Sequence, residues 1–89
     1  MTKQEFDKIF LDELISCKTK RLAKKFLKLA DSVGYKWRGG RSLLKYNNWY
    51  IYKKKTGYRV SDDGISYGCA FGYPYAIDFK KFLKEGGYK

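Results

Sequence analysis

Gly34 divides this chain into two vocabularies, and no other feature limits the possible folds as much. Before it, Leu, Ala, Phe and Lys recur at helical spacing; from Tyr35 the sequence turns to Tyr, Trp, Gly and β-branched residues, which suit a pleated surface. Helices followed by strands, rather than alternating with them, predict an α+β fold.

Thr2-Lys3-Gln4-Glu5 is a capping box, in which the Thr2 hydroxyl accepts from the Glu5 amide and the Glu5 carboxylate reaches back to the Thr2 amide. From there Phe6, Ile9, Phe10 and Leu14 form an apolar stripe, widened by Leu11 and Ile15, while Lys3, Asp7, Lys8, Asp12 and Glu13 stay wet. A second helical pattern runs over residues 19–33, with Leu22, Ala23, Phe26, Leu27, Leu29, Ala30 and Val33 on the apolar half. In one straight helix at about 100° per residue the two stripes would point to nearly opposite sides, so the pattern must break. Residues 16–19, where helix propensity falls and hydroxyls can cap, are the predicted break. The expectation is an N-terminal helical pair with Gly34 as the residue past its end.

Beyond Gly34, Trp49 and Ile51 alternate with Tyr50 and Tyr52, predicting a strand over residues 49–53; Lys54-Lys55-Thr56-Gly57 then reads as a hairpin loop and residues 58–61 as its second strand. Asp62-Asp63-Gly64 makes another turn. Ile65, Tyr67, Cys69 and Phe71 alternate with Ser66, Gly68 and Ala70, predicting a third strand, and Leu43, Leu44 and Tyr46 could supply a fourth. Short loops between these strands predict an antiparallel meander. Asp78 caps a short C-terminal helix carrying Phe79, Phe82 and Leu83, stopped by Gly86-Gly87.

Eighty-nine residues make one domain, and a chain of this size buries only about 60 to 65% of its unfolded surface. An apolar content of 44% is nevertheless enough for a core. No run approaches the roughly 20 apolar residues of a membrane span, and acids stand where a signal peptide would be apolar, so a cytoplasmic location, with no membrane partner, is expected. Cys17 and Cys69 are too few for a disulfide framework and are expected to be reduced and buried.

The net charge is +11, and it is concentrated: residues 18–59 hold fourteen Lys or Arg and one acid, Asp31, while the remainder holds six bases and eight acids. Such clustering points to an anionic partner more strongly than uniform charge would. With no histidine, Ser-His-Asp and Cys-His catalysis are impossible, and a zinc site would need both cysteines and carboxylates. Asp62 and Asp63 sit in a turn that uses such residues for its geometry, and Asp12-Glu13 belongs to a solvated face. The residues therefore suggest a non-enzymatic protein without metal or cofactor.

Lys18, Lys20, Arg21, Lys24, Lys25 and Lys28 fill the polar half of the second helix with no acid among them, an arc that can follow phosphates. The plainer view is a solvated helix face, which ordinarily mixes signs. In residues 34–42 glycines let amides approach an anion, Lys36, Arg38 and Arg41 add cations, and Tyr35 or Trp37 can stack on a base, unless Trp37 instead anchors the core. The Gly-Lys-Ser/Thr ending of a Walker loop is missing. Tyr46, Trp49, Tyr50 and Tyr52 interleave with Lys45, Lys53, Lys54, Lys55 and Arg59; Tyr50 and Tyr52 on one strand face would offer stacking surfaces, although half of these rings must fill the core.

An N-terminal helical part, then Gly34-Tyr35-x-Trp37-x-Gly39-Gly40, Trp49-Tyr50-Ile51-Tyr52, Gly64-Ile65-x-Tyr67 and a closing Asp78-Phe79-Lys80-Lys81-Phe82-Leu83, resembles the layout of small accessory proteins of bacteriophages and prophages. The resemblance covers most of the chain and implies a role in disabling a host defence system, as anti-CRISPR proteins do, in the cytoplasm of a bacterial host; it transfers no site. Three functions follow as expectations. The first is binding of nucleic acid, DNA or RNA, or of a nucleoprotein such as a CRISPR effector complex, through the basic helix and Gly-rich loop. The second is a sponge for a nucleotide or cyclic oligonucleotide signal, with Arg38, Arg41 and aromatics lining a pocket. The third is an inhibitor docking its basic face on an acidic host protein.

Overall fold

A computed structural model describes residues 1–86 as an α+β structure of four α-helices, a 3-10 turn and a four-stranded mixed sheet. The first helix, α1 (Lys3–Phe10), starts at the expected capping box: the Glu5 amide donates to Thr2 Oγ1 at 3.1 Å and the Thr2 amide to Glu5 Oε1 at 2.8 Å. The helix ends earlier than its apolar stripe, because Asp12 turns left-handed at φ 65° and the chain reverses into β1 (Leu14–Ser16). Leu14 and Ile15, expected on the helix, thus belong to a strand. The reason is long-range: β1 is an inner strand, antiparallel to β2 (Thr56–Ser61) and parallel to β4 (Ile77–Asp78), and it carries the β-branched Ile15 into the core. The helical pair is therefore interrupted by a strand, and the expected break at 16–19 is only the entry to the next helix.

That helix, α2 (Lys20–Ser32), has Thr19 as N-cap, accepting from the Leu22 amide at 3.1 Å. It closes in a Schellman motif: Tyr35 N–H donates to Ala30 C=O and Gly34 N–H to Asp31 C=O, both at 3.0 Å, with Gly34 at φ 99°. Ala23, Phe26, Leu27 and Ala30 are buried.

Residues 35–55 depart most from expectation. No strand forms at residues 43–46 or 49–53. Leu43 is buried, while Trp49–Tyr52 form one helical turn, α3, followed by a 3-10 turn at Lys53–Lys55. Left-handed backbone at Asn48 (φ 58°) and Lys53 (φ 53°) brackets α3 and breaks the alternation of Trp49 to Tyr52. Side chains hold the segment down: Tyr58 Oη donates to Asn47 C=O, Trp49 Nε1 to Cys17 C=O at 3.2 Å, and Thr56 Oγ1 to Trp49 C=O at 3.4 Å. Lys54-Lys55-Thr56-Gly57 is accordingly not a hairpin loop, since Thr56 and Gly57 already lie in β2.

The one hairpin joins β2 to β3 (Gly64–Cys69), and it turns on Asp62-Asp63 as the sequence suggests. Ser61 Oγ donates within this turn, and Gly64 at φ 133° lies so close to Lys36 that a Cβ would stand 2.8 Å from its carbonyl oxygen. The sheet order β3-β2-β1-β4, with β4 parallel to β1, replaces the expected antiparallel meander. The C-terminal helix α4 (Phe79–Lys84) is capped by Asp78, which accepts from Lys80 N–H at 3.0 Å and Lys81 N–H at 3.4 Å. Gly86 is left-handed at φ 71°; Gly87 lies outside the described residues.

The core is a cluster of rings. Phe6 and Phe10 of α1, Phe26 of α2, Tyr58 of β2 and Phe79 of α4 are fully buried, with centroids 4.8 Å apart for Phe6–Phe10 and 5.3 Å for Phe26–Phe79. Cys17 and Cys69 are free thiols; Cys17 is buried, which pushes its thiol up, and Cys69 is half-buried. Among the described residues no helix is long and apolar enough to cross a membrane.

Candidate nucleic-acid interface

The tethers that pull residues 43–53 onto the molecule also create three adjoining clefts. Between α2 and the tethered segment lies a hollow of about 300 Å³, with Lys24 and Lys28 on one wall and Leu43, Leu44 and Asn47 opposite. Asn47 also borders the next cleft, of about 340 Å³, which holds Lys20, Lys45, Lys53, Trp49 and Tyr50. Tyr46 and Asn48 connect that one to a third, of about 440 Å³, walled by Trp37, Arg41 and Tyr67 and bordered by Arg38. The shared residues join the three clefts into one belt, and no Asp or Glu lines any of them.

Helix geometry explains the first part of the belt. At about 100° per residue Lys20, Lys24 and Lys28 climb a slanting i, i+4 row of α2, from beside the buried stripe towards the outer face, and line the clefts shared with the tethered segment. Arg21 and Lys25 sit further round, on the outer crest, exposed to solvent. Among the described residues, Lys20, Lys24, Lys28, Lys45, Lys53 and Arg41 have no ion-pair partner; the ion pairs are Lys3–Asp7, Lys18–Asp78 and Arg38–Asp63. Six unneutralised cations on an acid-free belt give a strong local positive potential.

The structure divides the cations singled out from sequence. Lys18 is turned away to Asp78, at 3.4 Å, and lines a separate cleft with Lys54, Lys55 and Phe71. Lys36 borders a depression shared with Asp62 and Asp63, so its surroundings are mixed in sign. Arg38 stands at the boundary, its guanidinium 3.2 Å from Asp63. The Ser61 hydroxyl and this guanidinium hold the Asp63 carboxyl below its ordinary pKa.

The rings divide likewise. Trp37 is half-buried and does both jobs considered for it: it packs at 6.0 Å from Tyr58 of the core and walls the largest belt cleft. Its indole N–H is the one buried side-chain polar atom among the described residues without a hydrogen bond. Tyr50, 73% exposed, projects from the middle cleft, whereas Tyr52, 39% exposed, leans toward Tyr67 at 6.5 Å. They do not share a strand face, because no strand is there. Tyr46 is 52% exposed and Tyr67 43%. Lys45, Lys53 and Tyr46 were legible as basic-aromatic interleaving, but Asn48 and Tyr67 carried no local signal. Phe71 and Tyr73 are exposed rings lining a separate cleft outside the belt, and Tyr75 is exposed as well.

No three of the described Cys, Asp and Glu residues converge in a metal-binding arrangement. Comparison with protein-family models, curated proteins and solved structures finds no match for this chain.

Proposed function

We propose that this protein is a non-enzymatic module that binds single-stranded nucleic acid, free or displayed by a nucleoprotein, along the belt from α2 to the Gly-rich loop. The observation that carries this is the continuity of three clefts with six unpaired cations and no acid. Exposed rings favour single strands over duplex, because a stacked duplex hides its base faces while an unpaired strand offers one to every ring. Tyr46 and Tyr50 line the same cleft as Lys20, Lys45 and Lys53, so ring faces for bases and cations for phosphates lie side by side. The phage-type layout fits the same proposal, with the bound strand then being guide RNA or the displaced target strand of a host defence complex, and binding serving to inhibit it.

Fluorescence anisotropy with labelled 12-mers tests it. Single-stranded RNA or DNA should bind at low salt at least tenfold more tightly than a duplex of the same length. Equal affinity for duplex would remove the role given to the rings, and no binding at 50 mM salt would remove the proposal.

A further inference from the structure

The largest belt cleft differs from the other two in the way its rings meet. Trp37 and Tyr67 are 6.0 Å apart at an interplanar angle of 81°, so two walls stand nearly perpendicular, and Tyr46 adds a third aromatic wall. Parallel rings would extend a run of stacked bases; a right-angled corner stops it, since a base lying on one ring meets the other edge-on. The space, about 440 Å³, is within the range of roughly 300 to 1,000 Å³ typical of small-molecule sites.

Two polar groups at this corner are unused by the protein. Arg41 has no ion pair, and the Asn48 side chain, half-buried between the corner and the middle cleft, makes no hydrogen bond within the described residues. The carboxamide reaches solvent at the cleft surface, so its donor and acceptor are open to a ligand. Its adjacent donor and acceptor match N7 and N6–H2 of adenine, the pairing by which Asn reads that base, while the larger face of a purine gains more from the rings than that of a pyrimidine. Asn48 is held in left-handed backbone at φ 58°, which Asn tolerates better than most residues, so the amide is carried at a backbone position most other side chains would strain.

From this geometry we infer that the corner formed by Trp37, Tyr46 and Tyr67 is a subsite for one unstacked purine nucleotide, its base on a ring, its edge on Asn48 and its phosphate on Arg41. This deepens the single-strand proposal and rests on it: the belt tracks the backbone and the corner selects a base.

The test uses the unmodified full chain and ¹H–¹⁵N spectra, in which the indole signals of Trp37 and Trp49 report on the corner and the middle cleft separately. Adenosine, guanosine, cytidine and uridine monophosphates and ribose 5-phosphate are titrated in turn. The expected result is a saturable shift of the Trp37 signal with the purine nucleotides, at least fivefold tighter than with pyrimidines, and none with ribose 5-phosphate. Arg41→Ala should weaken purine nucleotides tenfold or more. Asn48→Gly keeps the left-handed backbone and should weaken adenosine monophosphate more than guanosine monophosphate, whose N7 and O6 are both acceptors. Equal affinity for all five ligands, or an unmoved Trp37 signal, overturns the subsite. A 12-mer run alongside separates the two failures: if it still binds, only the subsite falls, and if it does not, the belt falls as well.

Discussion

At the scale of single residues, the two tryptophans show how similar side chains take different roles from their partners. Trp49 spends its indole N–H on the Cys17 carbonyl, tying the belt segment to β1, while the Trp37 N–H has no acceptor. Replacing either by Phe removes similar volume, but only Trp49→Phe loses a hydrogen bond and leaves a carbonyl short of its donor. Urea denaturation should therefore place Trp49→Phe about 1 kcal/mol below Trp37→Phe in stability; the reverse order would mean that the tether contributes nothing. Lys53 makes a second case. Its backbone, at φ 53° and ψ −125°, is one that glycine adopts freely and lysine does not. Relief of strain of about 1 to 3 kcal/mol, reduced by glycine's greater unfolded entropy, should leave Lys53→Gly more stable by about 0.5 to 1 kcal/mol. The same substitution deletes a belt cation and should weaken oligonucleotide binding. Stability and affinity moving in opposite directions, read by thermal melting and anisotropy, are the expected signature of a strained residue kept for its charge.

At the scale of elements, α2 is a core helix on one side and a binding edge on another. Reversal of Lys24 and Lys28 to Glu should abolish oligonucleotide binding at 150 mM salt yet change stability by no more than about 0.5 kcal/mol, because both are exposed. Reversal of Arg21 and Lys25 on the crest adds the same charge but should cost less affinity; equal losses would mean that the edge is not special. α4 depends on a different charge. Burial raises the Asp78 pKa, but the Lys81 and Lys80 amides and Lys18 outweigh it, and the net shift is downward. A carboxyl depressed in the folded state stabilises above its unfolded value of about 3.9, and this is lost as pH falls through the folded value. Stability should thus drop below about pH 4, and Asp78→Asn, which still caps α4, should flatten that part of the profile.

Elements defined by local chemistry were legible in the sequence. The capping box at Thr2, the glycine at the end of α2, the Asp62-Asp63 turn and the Asp78 cap all follow from groups within a few residues of one another. Elements decided at long range were not. Leu14 and Ile15 continue a helical stripe perfectly well, yet pairing with residues 57–59 and 77–78 takes them into the sheet. Trp49 to Tyr52 alternate as a strand does, yet the Tyr58 hydroxyl and the Trp49 indole hold the segment as a turn of helix. The site divides in the same way: the lysines of α2 could be read from periodicity, whereas Asn48 and Tyr67 join the belt only because tethering brings residues 43–53 beside β3.

At the scale of the whole molecule, the question is whether the net charge of +11 acts as a diffuse field or through a defined path. The exposed lysines Lys8, Lys80 and Lys84 carry the same formal charge as Lys20, Lys24 and Lys28 but line none of the three clefts. Counterion release distinguishes the two cases, because each phosphate contacted on a single strand contributes about 0.7 to the slope of log affinity against log salt. With six unpaired cations on the belt, the unmodified protein should show a slope near about −4 if all of them reach phosphate. The decisive measurement is this slope for the protein, for a triple alanine variant at Lys20, Lys24 and Lys28, and for one at Lys8, Lys80 and Lys84. The belt predicts a slope shallower by about 2 for the first variant and unchanged for the second; equal changes in the two would show that charge alone, and no path across the surface, attracts the nucleic acid.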